Sequence, residues 1–299
     1  MRSIVRRDTG EDWKAYVTRL MREAGVIGAE DQPSAEEVQR FDRARKDKTT
    51  SNADWKSTDG DAKIARMKDG TTHLAYKAEH VVDLESDLIL AAEVGPADQA
   101  DTATLADSLV AAQLNLKAAG SGAVIEEAVA DKGYHAVGTL ELCDFLDVRT
   151  YIPEPRRAHP TRLADKPAAE RRAVVNNRRR MGRSKGKGLQ RQRCEVVERT
   201  FAHVCETGGS RRTHLRGLTN VTKRYLLAAA AHNLGRILRR LTGVGKPRAL
   251  QGAAGGLSGL ASRLLARLRL APARFAVVDA RRAAPFWRFA ITSEIRLAG

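Results

Sequence analysis

The residues Leu88–Val94 read Leu-Ile-Leu-Ala-Ala-Glu-Val, an almost wholly apolar run. A strand with that composition has to be covered on both faces, which places it inside a sheet rather than on a half-wet surface. The preceding segment, His73–Asp83, is rich in β-compatible residues, with Leu74, Tyr76, Ala78, His80 and Val82 on one face. Leu84-Glu85-Ser86-Asp87 between the two runs supplies the turn, so together they predict a hairpin leading into a sheet interior. Polar residues 95–102 follow, and then a helix over roughly 103–118 carrying Leu105, Leu109 and Leu114. Ala123–Ala130 predicts another strand, ending at Asp131-Lys132-Gly133-Tyr134. A helix over roughly 136–146 leads to a short strand at Arg149–Pro153, which Pro153 and Pro155 end. Strands interleaved with helices in this order specify a mixed α/β domain.

The flanks read differently. Trp13, Tyr16, Val17, Leu20 and Met21 recur at helical spacing within residues 10–24, and Gly25 is the stop. Ser34 with Glu37 three positions later predicts a capping box opening a second helix through Val38 and Phe41. Polar residues 49–62 read as a loop, and residues 1–70 as helix, helix and loop without a strand. Residues 171–190 are basic, with Gly182, Gly186 and Gly188 breaking any periodicity. A helix is expected from Arg191 to about Cys205, striped by Cys194, Val197, Phe201 and Val204, and another over roughly 220–241. Beyond Gly243 the chain becomes low-complexity Ala/Gly/Leu/Arg sequence, helical in part over Leu257–Leu270 and without visible chemistry. The expected organisation is a helical lead-in over 1–62, a core over 63–248 whose basic helical part begins at 171, and a tail over 249–299.

Net charge divides unevenly along this plan. Residues 1–170 carry 23 Lys and Arg against 31 Asp and Glu, whereas residues 171–248 carry 21 against 3. The whole chain is at +16, so its excess belongs to the C-terminal half. Clustered basic charge is rewarded by phosphate neutralisation with counterion release, which points to a polyanion partner; a solvated basic face is the plain alternative. No apolar run approaches the ~18 residues that span a bilayer, and the N-terminus lacks the apolar core of a signal peptide. Cys143, Cys194 and Cys205 are too few, and odd in number, for a disulfide framework.

Few residues carry candidate chemistry. Asp131 follows an apolar strand and opens a Gly-containing turn, where a carboxylate projects from a rigid support into a cleft; Asp before a Gly turn is also a plain turn former. Glu195 and Glu198 are the acids within the basic stretch Arg171–Thr200, sharing a helix face with Arg191. They read either as surface salt-bridge partners or as holders of a divalent cation among phosphate-gripping neighbours. There is no GxGxxG, GxxxxGK[ST] or HExxH motif. Cys194, His203, Cys205 and His214 lack the short paired spacing of structural zinc sites. Asp69-Gly70-Thr71 reads as a turn.

Three segments together resemble the DDE transposases of bacterial insertion sequences, which have a ribonuclease-H-like catalytic core. Ala75-Tyr76-Lys77-Ala78-Glu79-His80-Val81-Val82-Asp83, followed by Leu88–Val94, is similar to the second and third strands of that core. Ala130-Asp131-Lys132-Gly133-Tyr134-His135 resembles the motif of the second catalytic aspartate, and Arg193 with Val197-Glu198-Arg199-Thr200-Phe201-Ala202 the helix of the catalytic glutamate. The resemblance covers roughly residues 1–250. It implies a ribonuclease-H-like mixed sheet flanked by helices, with Asp131 and Glu198 as two of three carboxylates that hold Mg²⁺ or Mn²⁺. It also implies that Tyr134, Arg193, Arg191 and Arg199 lie beside DNA, with Arg178, Arg179 and Arg180 gripping its backbone. Cys194 and Cys205 stand where the family often has Arg and Lys.

The family's first aspartate lies on a first strand upstream of the hairpin. No such strand is read in residues 1–70, so the expectation is a sheet lacking that strand, a chain beginning after it, and weak metal binding. The implied function is metal-dependent cleavage and strand transfer at insertion-sequence ends, by an oligomer on DNA in the bacterial cytoplasm at the nucleoid. The other readings are a non-catalytic DNA-binding remnant or regulator and, further off, an RNA-associated structural protein.

Overall fold

The computed structural model describes residues 4–46, 51–67, 71–156, 163–242 and 287–298. A short strand β1 (Ile4–Arg6) leads to helix α1 (Trp13–Glu23), which Asp12 caps by accepting from the Ala15 N–H. Helix α2 (Ala35–Ala44) begins at the expected capping box of Ser34 and Glu37. The apolar stripe of α1 is used twice. Val17 and Met21 pack on Val38 of α2, while Tyr16 meets Trp55 edge-on at 5.2 Å. Trp55 opens β2 (Trp55–Ser57), which pairs antiparallel with β1. The loop expected over 49–62 therefore contains a strand: Trp55 is buried against Ile4 and Ile64, and that burial outweighs its polar neighbours. With β3 (Lys63–Arg66), the first seventy residues hold three short strands where none is expected. Asp69 and Gly70, read as a turn, lie outside the described residues.

The hairpin forms as expected. Strand β4 (Thr72–Asp83) turns at Leu84–Leu88 into β5 (Ile89–Pro96). Asp87 holds the left-handed turn position at φ 59°. Its carboxylate binds Arg199 at 2.9 Å and also Arg236, tying the hairpin tip to two helices. One edge of β4 takes β3 at its start and β5 along the rest.

Helix α3 (Asp101–Ala118) then leads to β6 (Ile125–Ala130), a single 3₁₀ turn over Lys132–Tyr134, α4 (Val137–Phe145) and β7 (Arg149–Tyr151). The sheet's two faces are both covered. Val81, Ala91, Ala128 and Ala130 pack on α3 and α4 through Leu105, Leu109, Leu140 and Cys143. Ala78, Val82, Ile89 and Val129 face the opposite helical layer. Each such Leu, fully buried, contributes about 1.5–3 kcal/mol. This two-sided cover is the reason the run Leu88–Val94 is apolar but for Glu93, which accepts from Ser108 at 2.8 Å.

The helices that follow correct the reading of residues 171–190, with Ala173 and Val174 packed on the α3 and α4 side. These residues are helical, forming α5 (Ala168–Gly182) and the start of α6 (Ser184–Ala202), with a break confined to Arg183. Gly186 lies inside α6, where an added Cβ would strike the backbone of Arg180 and Met181. Glycine there lets two helices approach closely, which outweighs its modest cost to helix propensity. A π-helical turn over His203–Thr207, the short β8 (Arg212–Thr213) and the long α7 (Leu218–Thr242) follow.

The last described element changes the architecture most. Strand β9 (Trp287–Ala298) lies between β4 and β6, antiparallel to the first from Ala75↔Leu297 to Asp83↔Phe289 and parallel to the second up to Ala130↔Ile291. The main sheet therefore runs β3-β4-β9-β6-β7, with β5 also on β4 and β8 on β9. The expected gap beside the hairpin is filled by residues read as a featureless tail. The helix expected over Leu257–Leu270 lies outside the described residues. No helix among the described residues is long and apolar enough to cross a membrane.

Burial also sorts the cysteines. Cys143 and Cys205 are buried, whereas Cys194, expected on the apolar stripe of its helix, is exposed. Burial pushes the Cys143 thiol up to about 11. Since the thiolate is the reactive form, iodoacetamide at neutral pH should alkylate Cys194 quickly. Cys143 and Cys205 should react only after denaturation, as counted by intact mass. Equal labelling of all three in the native chain would contradict this packing.

Candidate active site

Asp131 is the residue at which β6 stops. Its backbone stays extended and one carboxylate oxygen accepts from the Lys132 N–H at 2.6 Å, so the side chain caps the 3₁₀ turn. By strand alternation it shares a face with Glu127 and Val129, the face covered by α6. It is partly exposed and makes no ion pair among the described residues. The turn beyond it is tightly built. A Cβ at Gly133 would collide with the Asp101 carboxylate, which Lys77 holds at 2.5 Å. Lys77 also pairs with Glu79 at 3.2 Å, and Thr104 and Ser108 donate to Glu79, so the ground beneath the turn is a satisfied polar network.

Helix α6 approaches the same end of β6. The Gln190 amide donates to the Ala130 carbonyl at 3.0 Å and to the Tyr151 carbonyl at 2.6 Å, directly before Asp131. Glu198 is about two turns further along α6. It is exposed and has neither a hydrogen bond nor an ion pair among the described residues. Glu195 is different: Arg199 pairs with it at 2.6 Å, so of the two acids the salt-bridge reading fits Glu195. Two carboxylates without a cationic partner suit a cation. Yet among the described residues no group of three His, Cys, Asp or Glu side chains is placed to hold one. The position of β9 level with Ala130 is Ile291, and its neighbours Ala290 and Thr292 carry no charge. The acids in place therefore fall short of a complete metal site.

The expected DNA contacts separate into several groups. Tyr134 is fully buried against the core of α3 and α4, so its expected place beside DNA is corrected: it supports the Asp131 turn from within. Arg193 is also buried, donating to Gln190 Oε1 at 3.1 Å and to Cys194 Sγ at 3.3 Å, and it holds Gln190 rather than facing solvent. Arg180 donates to the carbonyl and hydroxyl of Thr150 at 2.9 and 3.1 Å. Arg178 makes a two-point pair with Glu154, and Arg199 bridges Asp87 and Glu195. Arg179 and Arg191 are exposed and carry no carboxylate partner among the described residues.

Sequence reasoning missed Gln190 and the charged group around Glu127. Glu127 is buried, yet accepts from Lys185 at 2.5 Å and from the Tyr151 hydroxyl at 3.0 Å, with Arg149 at 3.3 Å. Burial pushes its carboxyl up, but the Lys185 and Tyr151 hydrogen bonds and the Arg149 charge outweigh that and hold it below its ordinary value. The available signal was an acid pair, Glu126-Glu127, inside an otherwise apolar strand.

The family model described as a transposase DDE domain matches residues 40–234, from α2 to the last third of α7. No curated protein and no solved structure matches the chain.

Proposed function

The chain belongs to the transposase DDE domain family, and from that premise we propose that it engages DNA as the core of a transposition protein. Asp131 and Glu198 are its metal-holding acids. The complete reaction of this core is metal-dependent cleavage and strand transfer of transposon-end DNA. The bound metal would supply an activated oxygen nucleophile and stabilise the leaving oxygen. Asp131 is held rigidly by the 3₁₀ turn it caps, and Gln190 fixes the end of β6 against α6. The order β3-β4-β9-β6-β7, antiparallel on one side of β9 and parallel on the other, supports the ribonuclease-H-like reading.

The observation that carries the reading furthest is the incomplete acid set. Among the described residues Asp131 and Glu198 make no ion pair, and the strand between β4 and β6 has no acid level with Ala130. Our reading is that the chain alone binds DNA without nuclease activity. Purified protein should shift duplex DNA in a salt-sensitive manner and leave a supercoiled plasmid intact in Mg²⁺ or Mn²⁺. Nicking or joining that Asp131→Ala removes, with DNA binding preserved, would overturn the inactivity and leave the transposase reading standing. The basic charge of 21 Lys and Arg against 3 acids over 171–248 supports DNA as the partner.

A further inference from the structure

Glu127 lies at the base of a cleft of about 510 Å³ built from β6, β7, α5 and α6. Five cations line it: Arg149, Arg179, Arg180, Arg183 and Lys185. Glu127 answers Lys185 and Arg149 and leaves the others unmatched. Arg183 sits at the α5–α6 break, exposed, with no side-chain partner among the described residues. Among the described residues Arg179 reaches only the Asn176 amide oxygen, at 3.2 Å. Arg180 lies among these cations, and its pKa is lowered chiefly by burial, with Tyr151 and Asp144 opposing the smaller effects of Arg149 and Arg179. Such a group gains most from an anion that bridges it.

We propose that this cleft holds the sugar–phosphate backbone of the DNA strand that passes Asp131, an inference that rests on the DNA-engaging reading above. Two features favour backbone over base recognition. The cations come from three elements and converge on an open groove. The cleft's aromatic, Tyr151, is buried with its hydroxyl committed to Glu127, which leaves no platform for stacking a base. Position favours the same strand as Asp131. Glu127 and Asp131 share one face of β6 four residues apart, about 13 Å at ~3.3 Å per residue. Lys185 and Gln190 of α6 bracket that interval, one at each end.

The test uses the full chain, a short labelled duplex of arbitrary sequence and fluorescence anisotropy across a NaCl series. Arg179→Ala with Arg183→Ala is the cleft variant. Lys14→Ala with Lys56→Ala, two exposed lysines on α1 and β2, removes equal charge elsewhere. The cleft variant should lose about tenfold or more in affinity at low salt, and its salt slope should fall by about 1–2, at ~0.9 per phosphate contact. The control should lose no more than about twofold, as expected of cations that touch no phosphate. The anion-free melting temperature of the cleft variant should equal or exceed the parent's, because repulsion is relieved.

Equal losses in both variants overturn the cleft while the transposase reading stands. Inorganic tripolyphosphate serves as a second probe. If the cleft variant loses tripolyphosphate binding but keeps the parent's DNA affinity, the site takes a free polyphosphate and the DNA assignment fails. A parent chain that binds no duplex overturns the DNA-engaging reading and this proposal with it.

Discussion

Removal of residues 287–299 is expected to abolish cooperative folding of the main sheet. β9 pairs with β4 from Ala75 to Asp83 and with β6 from Ile125 to Ala130, and it also carries β8. No direct strand pairing joins β4 to β6 among the described residues, so β9 is the hydrogen-bonded link between the antiparallel and parallel halves. Its loss would leave two long inner edges bare within covered layers, where an unpaired backbone group costs about 1–3 kcal/mol. Several such groups exceed the whole stability of a typical domain, roughly 5–15 kcal/mol. Circular dichroism should show a broad or absent thermal transition, and the truncated chain should aggregate through its open edges. A synthetic peptide of residues 287–298 supplied in trans should restore part of the transition, since an added strand brings the missing main-chain bonds. A truncated chain that melts like its parent would show that β9 is dispensable.

The second large effect is expected at His80. Its ring is fully buried on β4, stacked at 4.0 Å on Phe201 of α6, and bonded to Thr200 at 3.0 Å and Tyr225 of α7 at 2.8 Å. The hydrogen-bond logic places a proton on Nδ1. Thr200 donates its hydroxyl proton to the Val197 carbonyl, so it accepts from His80 Nδ1–H. The Tyr225 hydroxyl meets the other ring nitrogen, Nε2, so both nitrogens are engaged. One side chain thus fastens the sheet to both helices of the layer that carries Glu198. His80→Ala should cost about 3–5 kcal/mol, as other buried ring-to-Ala changes do. That corresponds to a fall of roughly 6–20 °C in melting temperature for a chain of this size. His80→Phe should recover part of the loss by refilling the stack, while leaving Thr200 Oγ1 and the Tyr225 hydroxyl without their partner. A His80→Ala chain melting within a degree or two of its parent would remove this residue as the fastener.

Both effects concern contacts of high sequence separation, and those are what the sequence expressed least. The hairpin, α1, α2, α3, β6 and α7 were legible because their periodicity and caps are local: the Ser34–Glu37 box and the stop of β6 at Asp131 are written in adjacent residues. Gly186 misled for the opposite reason. Glycine reads as a helix breaker until the partner helix that requires its missing Cβ is known. Tyr134 and Arg193 misled similarly, since a Tyr beside a catalytic-type turn and an Arg within a basic helix have no local mark of burial.

β9 did carry a signal. Trp287, Phe289, Ile291, Ile295 and Leu297 fall at alternate positions, an apolar period of two hidden behind a low-complexity approach. Alternation can announce a strand but cannot say where the strand inserts.

By itself the sequence determined the α/β character, the positions of Asp131 and Glu198, and the concentration of basic charge after residue 171. The tertiary structure alone decided that strand β9 inserts between β4 and β6, that Glu195 is paired while Glu198 has no ion pair among the described residues, and that five cations converge around Glu127. Periodicity and capping are set by interactions within a few residues. Strand insertion and charge convergence are set by backbone bonds and burial between segments from tens to more than two hundred residues apart, which no local pattern encodes.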